Sequence, residues 1–211
     1  MRSHLRSEGD TFDPRVLQAM RSVPRHRFVP EEFREAAYDD CALPIGYGQT
    51  ISQPYVVAVM TEILEPRPED KILEIGTGSG YQAAVLSRLV EHVYTIEIIE
   101  ALAERATGVL EELGYDNVTV LTGDGYRGYP EEAPFDGIVV TAAPEVVPAP
   151  LLSQLRVGGR LVIPVGADFQ ELESIERTEA GFETRAVMPV RFVPMTGRVM
   201  DRDRDRDSDE A

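Results

Sequence analysis

Cysteine and lysine each occur once in the 211 residues, as Cys41 and Lys71. A single thiol forms neither an internal disulfide nor a cysteine-based zinc site. It suits a reducing compartment, and a cytoplasmic location is expected. The three histidines, His4, His26 and His92, show no metal-ligand spacing, so no metal centre is expected. No apolar run is long enough to cross a bilayer, and residues 1–10 carry charges where a signal peptide needs an apolar stretch. No membrane partner is therefore expected. With one lysine and a formal net charge of −16, the chain lacks the basic clusters that nucleic-acid binding requires. The same imbalance points to salt adaptation, because at roughly 1 M salt the Debye length is only about 3 Å and repulsion between carboxylates is screened. The acidic balance and small size predict a monomer.

What is present is a globular composition, 43% hydrophobic, of a length that suits one domain. Asp13-Pro14 reads as an N-cap with proline at the first helical position, opening a short helix over 14–23. A second short helix is expected over 30–38, and a loop over 43–53. Pro54 then opens a helix whose Val56, Val59, Met60 and Ile63 form an i, i+3, i+4, i+7 stripe toward the core. From residue 71 strands and helices alternate. Strands are expected at 71–75, 92–98, 117–121, 135–141 and 159–165, with helices at 79–90, 101–113 and 150–155. In the helix expected over 101–113, Leu102, Ala106, Val109 and Leu113 share a face, and Gly114 stands where a C-cap glycine belongs. Such alternation predicts an α/β fold with a mostly parallel, doubly wound sheet. Segments 172–177 and 182–187 read as a hairpin, giving an antiparallel C-terminal edge. The domain divides into an N-terminal helical segment over about 13–53, a core over about 54–166 and C-terminal strands over about 167–200. Residues 201–211, which offer nothing apolar to bury, are expected to form a solvated tail.

The stretch Leu73-Glu74-Ile75-Gly76-Thr77-Gly78-Ser79-Gly80-Tyr81 joins a strand to a helix through a glycine turn, the recipe for a nucleotide-type ligand at the carboxyl end of a parallel sheet. Its glycines are spaced Gly-x-Gly-x-Gly. A dinucleotide loop needs a third glycine where Tyr81 stands, and a P-loop needs a lysine that this segment lacks. A cofactor without phosphates, such as S-adenosylmethionine, fits better. Glu97, at the end of the next strand and about 20 residues beyond the first glycine, stands where an acid can accept from ribose hydroxyls. Gly123-Asp124-Gly125 follows the third strand, where Asp124 could accept from an adenine amino group. Each feature alone has a plainer reading, as a tight turn, a strand-end acid and an Asp-Gly turn; together, after successive strands, they converge on one ligand.

With these motifs in view, the chain resembles protein-L-isoaspartate O-methyltransferases over about residues 23–198. The resemblance is carried by Val-Pro-Arg-His-Arg-Phe-Val-Pro at 23–30, Gly-Gln-Thr-Ile-Ser-Gln-Pro at 48–54, the glycine loop, Gly123-Asp124-Gly125, the 135–143 and 157–166 segments, and Val-Arg-Phe-Val-Pro-Met-Thr-Gly at 190–197. It implies a Rossmann-like class I methyltransferase fold, S-adenosyl-L-methionine as cofactor with S-adenosyl-L-homocysteine as product, and isoaspartyl proteins and peptides as partners. The implied reaction methylates the free α-carboxyl of an L-isoaspartyl residue; the ester then closes to a succinimide that can reopen to aspartate. The implied cofactor residues are Ile51, Glu74, Gly76, Thr77, Gly78, Ser79, Gly80, Glu97, Ile98, Asp124 and Gly125. Ser52 is implied as the active-site serine, with Tyr55, Val193, Pro194 and Thr196 beside it on the substrate side. Physically, an α-carboxyl with a pKa of about 3.3–3.7 is already ionised near neutrality and needs no general base. The Ser52 hydroxyl can donate to it, with positive potential from the helix opened by Pro54; Ser52 can equally serve as that helix's cap. Residues 190–196 could dock a peptide by strand addition. Alternatives are a methyltransferase acting on another carboxylate or small molecule, and a cofactor-binding module without catalysis.

Overall fold

The structure is a computed structural model and describes residues 12–197; the tail expected at 201–211 lies outside them. Helix α1 (Pro14–Ser22) begins as the sequence predicts, with the Asp13 carboxylate accepting the Arg15 N–H at 2.8 Å. A short hairpin of β1 (Leu43–Gly46) and β2 (Gln49–Ile51) precedes α2 (Pro54–Leu64). The alternating region follows as β3 (Lys71–Ile75), α3 (Tyr81–Leu86), β4 (His92–Glu97), α4 (Glu100–Glu112), β5 (Val118–Thr122), β6 (Phe135–Val140), α5 (Ala149–Gln154) and β7 (Leu155–Val165). Two long strands, β8 (Gln170–Thr178) and β9 (Gly181–Val190), complete the described elements.

Seven strands form one sheet in the order β5-β4-β3-β6-β7-β8-β9. The first five are parallel and β8 and β9 are antiparallel, as the alternation and the C-terminal hairpin pattern predict. Successive strand side chains serve opposite faces. Ile72, Val139 and Val162 pack with the core of α1 to α4, while Leu73, Ile138, Val140, Leu161 and Ile163 pack with Leu151 of α5. Chain direction along the sheet reverses between β3 and β6, whose carboxyl ends therefore part to leave a crevice. That topological switch point is where open α/β sheets bind ligands.

Five local expectations need correction. Residues 30–38 form no α-helix: Phe33, Arg34, Ala36 and Ala37 each donate three residues back, giving a 3₁₀ turn at Glu31–Phe33 and further turns. The segment expected as a loop over 43–53 contains the β1–β2 hairpin, so the N-terminal part is not purely helical. On α2 the buried stripe is Val57, Met60, Thr61 and Leu64 with Ala58 and Val59, while Val56 and Ile63 are half-buried. Helix α3 stops at Leu86. Asn117 Nδ2 reaches across from the start of β5 and donates to the carbonyls of Ser87, Val90 and Glu91 at 2.9, 3.3 and 3.2 Å, fixing the chain in a turn where 79–90 was expected to be helical. On α4 the fully buried residues are Leu102, Ala103, Ala106 and Leu110; Val109 and Leu113 pack at the margin, and Gly114 takes φ 71°.

Candidate active site

The crevice at the switch point is an open cleft of about 570 Å³. Its walls come from the carboxyl ends of four parallel strands, the β1–β2 hairpin and the segment after β9. Ile75, Gly76 and Gly78 follow β3, Glu97, Ile98 and Ile99 follow β4, Gly125 follows β5, and Thr141 and Ala142 follow β6. Gln49 and Thr50 of the hairpin and residues 193–196 supply the rest. Glu97 is the one charged side chain among these lining residues, which include no Lys, Arg or His.

The glycine loop is built by close approach. Gly76 has φ 94°, and a Cβ there would lie 2.5 Å from Thr141 Oγ1, whose hydroxyl donates to the carbonyls of Ile75 and Gly76 at 3.1 and 2.5 Å. A side chain at Gly76 would therefore break the junction between β3 and β6, besides adopting an unfavourable φ. Gly125 is similarly tight, its Cβ position being 2.3 Å from Ile75 Cγ2. Glu97 is buried, and its carboxylate accepts Gly78 N–H at 2.7 Å and Ile99 N–H at 3.0 Å. Two amides compensate the cost of burying the charge while leaving acceptor capacity toward the cleft.

Glu74 differs. It is fully buried in β3, and its Oε2 accepts the Thr95 hydroxyl at 2.5 Å, which in turn meets Thr77 Oγ1 at 2.7 Å. Its Oε1 has no partner. Desolvation, with nearby Glu97 adding repulsion, raises its pKa to about 8 despite the Thr95 bond. Glu74 is thus a neutral acid behind the loop rather than a cleft carboxylate.

The C-terminal segment lies beside the carboxyl end of β6. Ala143 N–H donates to Val193 O and Met195 N–H to Ala143 O, both at 2.8 Å. Gln170 fixes Phe192 from two sides, accepting its N–H at 2.6 Å and donating to its carbonyl at 3.1 Å. These backbone groups are spent on holding the segment, so only its remaining edge is open to strand addition. The α2 N-terminus is occupied as well: its N-cap position is Gln53, without a side-chain cap bond, and the Asp40 carboxylate accepts the Tyr55 N–H at 2.9 Å. Ser52 does not cap this helix, and Asp40 takes the positive helix end that the sequence reading assigned to a substrate.

The protein-L-isoaspartate(D-aspartate) O-methyltransferase family model matches residues 1–200. The chain belongs to this family. It is 61% identical to protein-L-isoaspartate O-methyltransferase 2 of Syntrophobacter fumaroxidans, covering 88% of this chain and 76% of that one. It is 58% identical to the protein of the same name from Nitrosococcus oceani, covering 90% and 87%. A solved protein-L-isoaspartate O-methyltransferase superposes with a TM-score of 0.85 at 29% identity, over 92% of this chain and 66% of that one. A Plasmodium falciparum structure described as a protein of this family in complex with S-adenosyl-L-homocysteine shares the fold, with a TM-score of 0.77 at 24% identity over 88% of this chain and 92% of that one. The fold is the Rossmann-like class I methyltransferase fold, with a mostly parallel sheet and an antiparallel edge.

Of the cofactor residues the family resemblance implies, Gly76, Gly78, Glu97, Ile98 and Gly125 line the cleft. Ile51 is buried in the core, Thr77 and Glu74 belong to the hydroxyl chain beneath the loop, and Ser79 Oγ accepts Tyr81 N–H at 3.3 Å. Gly80 has φ 85° and faces Leu110 and Ala106 of α4, so it serves helix packing. Asp124 N-caps the 3₁₀ turn Gly125–Arg127, accepting Tyr126 N–H at 3.0 Å. On the substrate side Val193, Pro194 and Thr196 line the cleft; Ser52 is half-buried between β2 and α2, and Tyr55 is exposed. Sequence reasoning overlooked Gln49, Thr50, Ile75, Ile99, Thr141, Ala142 and Met195 as cleft walls. Thr141 carried a signal, being the polar residue that ends the apolar strand expected over 135–141. Among the described residues no group of three or more His, Cys, Asp or Glu side chains could hold a metal ion, and no helix is long and apolar enough to cross a membrane.

Proposed function

We propose that this chain transfers a methyl group from S-adenosyl-L-methionine to the free α-carboxyl of L-isoaspartyl residues in damaged proteins and peptides. Membership of the family across residues 1–200 is the observation that carries the reading. The cleft fits the cofactor by its charge. Its lining offers no cation for a pyrophosphate, and Glu97 offers acceptors to a ribose diol while complementing a positively charged donor. Glu97, Gly76, Gly78, Ile98 and Gly125 would hold S-adenosylmethionine, which supplies a methyl group already activated on a sulfonium.

The remaining work falls to positioning and exclusion of water. The acceptor carboxylate is ionised, so no side chain has to remove a proton. Ser52 donates its hydroxyl to one carboxylate oxygen and leaves the other free to react. Tyr55 flanks it, and residues 193–196 hold the peptide backbone. The methyl ester leaves the site and closes spontaneously to a succinimide as the adjoining backbone amide nitrogen displaces methanol. Radiolabelled methyl transfer to an isoaspartyl peptide, with the matched aspartyl peptide as control, tests this reading. Equal labelling of both peptides, or of neither, refutes it.

We infer further that the described residues 12–197 work as one domain and that the protein is a cytoplasmic, salt-adapted monomer. The −16 charge, the single lysine and the single cysteine support this. Sedimentation at low and molar salt checks the oligomeric state.

A further inference from the structure

Asp40 belongs to the exposed turn that leads into β1, 12 positions before Ser52. Its carboxylate nevertheless grips the segment that follows Ser52. Oδ1 accepts the backbone N–H of Tyr55 at 2.9 Å, and Oδ2 accepts the Gln53 side-chain amide at 2.9 Å. Tyr55 is the second residue of α2, so its N–H is one of the donors a helix leaves unpaired. No local side chain takes it, and Pro54 contributes no donor. The Asp40 charge also sits at the positive end of α2, where a carboxylate is stabilised.

The turn that carries Asp40 is itself pinned from the interior. Arg25, 1% exposed, donates Nε to Ala37 O at 2.7 Å and Nη2 to Cys41 O at 3.4 Å, carbonyls on either side of Asp40. Its guanidinium lies 4.8 Å from the ring centre of Tyr81, which follows the glycine loop at the start of α3. A buried arginine thus ties the helix behind the cofactor loop to the Asp40 turn, and Asp40 ties that turn to the residues after Ser52.

We propose that Asp40 is a positioning residue for methyl transfer. It fixes the backbone over 52–55 so that the Ser52 hydroxyl meets the isoaspartyl carboxylate, without itself touching substrate. The inference rests on the reading of Ser52 given above. It accounts for how an anion stands near an anion-binding serine: both Asp40 oxygens are turned onto donors of the loop and the helix end. It also assigns the orienting of the acceptor to Ser52 rather than to the α2 N-terminus.

The test compares full-length Asp40→Ala and Asp40→Asn with the parent by amide hydrogen exchange, S-adenosylhomocysteine titration, and kcat and KM for an isoaspartyl peptide. Asp40→Ala should speed exchange over residues 52–57 and leave the amides of α3 unchanged. It should lower peptide kcat/KM about tenfold, with cofactor Kd held within about twofold, as expected for misplacement of an orienting group. Asparagine keeps an oxygen for Tyr55 N–H but gives up the charge, and should leave a loss of about threefold. If alanine prevents folding, Asp40→Asn decides alone, through that threefold loss at constant cofactor Kd. Parent-like exchange and kcat/KM in the variants overturn the proposal. So does a cofactor Kd that rises as far as kcat/KM falls, which marks general loosening. If the parent transfers no methyl to the peptide, the proposed function fails, and the exchange measurement still decides whether Asp40 holds the segment.

Discussion

Glu97 Oε2 accepts the backbone N–H of Gly78 at 2.7 Å, so the acid at the end of β4 holds the glycine loop at the end of β3. One side chain therefore shapes the loop and presents charge to the cleft it borders. Its second oxygen, on Ile99 N–H, fixes the turn that leads into α4.

Glu97→Ala should weaken S-adenosylhomocysteine binding by about 1.5–3 kcal/mol, or roughly 10- to 150-fold, the usual cost of losing hydrogen bonds to a charged group. Glu97→Gln keeps one acceptor oxygen and should lose less. Calorimetric titration of both variants checks this; unchanged affinity in Glu97→Ala would show that the cofactor does not use this wall.

Glu74 links stability to pH. Its folded-state pKa, about 8, lies above the ordinary carboxyl value of 4.5, so between these values the folded state holds a proton that the unfolded chain has released. Its contribution to stability is fully present below the unfolded value and is lost as pH rises through the folded one, with a slope of at most about 1.4 kcal/mol per pH unit. Glu74→Gln should flatten this part of the profile and stabilise the protein above pH 8. Urea unfolding of parent and variant from pH 5 to 9 measures it. Parallel profiles would mean that Glu74 ionises normally.

Ser52→Ala should lower kcat at least about tenfold, while remaining below the 10²–10³ typical of a lost transition-state donor, because charge is neutralised in this reaction rather than built up. Since Asp40 rather than Ser52 takes the Tyr55 N–H, the roughly 1 kcal/mol stability loss of a removed cap should not accompany it. Turnover, cofactor affinity and melting temperature on this one variant separate the roles; full turnover with a lowered melting temperature would remove Ser52 from catalysis.

Dialysis from molar salt to dilute buffer should lower the melting temperature, because screening that is nearly complete at a Debye length of about 3 Å is lost. Equal melting temperatures in the two buffers would dismiss salt adaptation as a reading of the −16 charge.

The parallel sheet was legible because β3, β4 and β6 are short apolar runs with glycine or proline turns nearby, and such runs have few other uses. The β1–β2 hairpin was not. Pro44 and Gly46 mark turns in most contexts, and only pairing with β2 makes this two-stranded ribbon. The phase of the α2 stripe was ambiguous because the helix is apolar on nearly every side, and burial fell one residue further on. The early end of α3 depends on Asn117, a distant side chain that leaves no local mark. At the site, Glu74 and Glu97 look alike in sequence as acids near strand ends. Only the fold separates the neutral acid beneath the loop from the charged one in the cleft wall. Asp40 carried no signal, since its partners lie 13 and 15 residues on.

The docking of Val193 to Met195 on Ala143 has a consequence for biosynthesis. Every parallel strand of the sheet precedes the last cleft wall in the order of synthesis. The nascent chain can thus fold its Rossmann-like core while its substrate side still lacks a boundary. A product truncated just after β9 would keep the sheet but lose Val193, Pro194, Met195 and Thr196 from the site. For this polypeptide, the sheet comes first along the chain and the substrate side of the site comes after it.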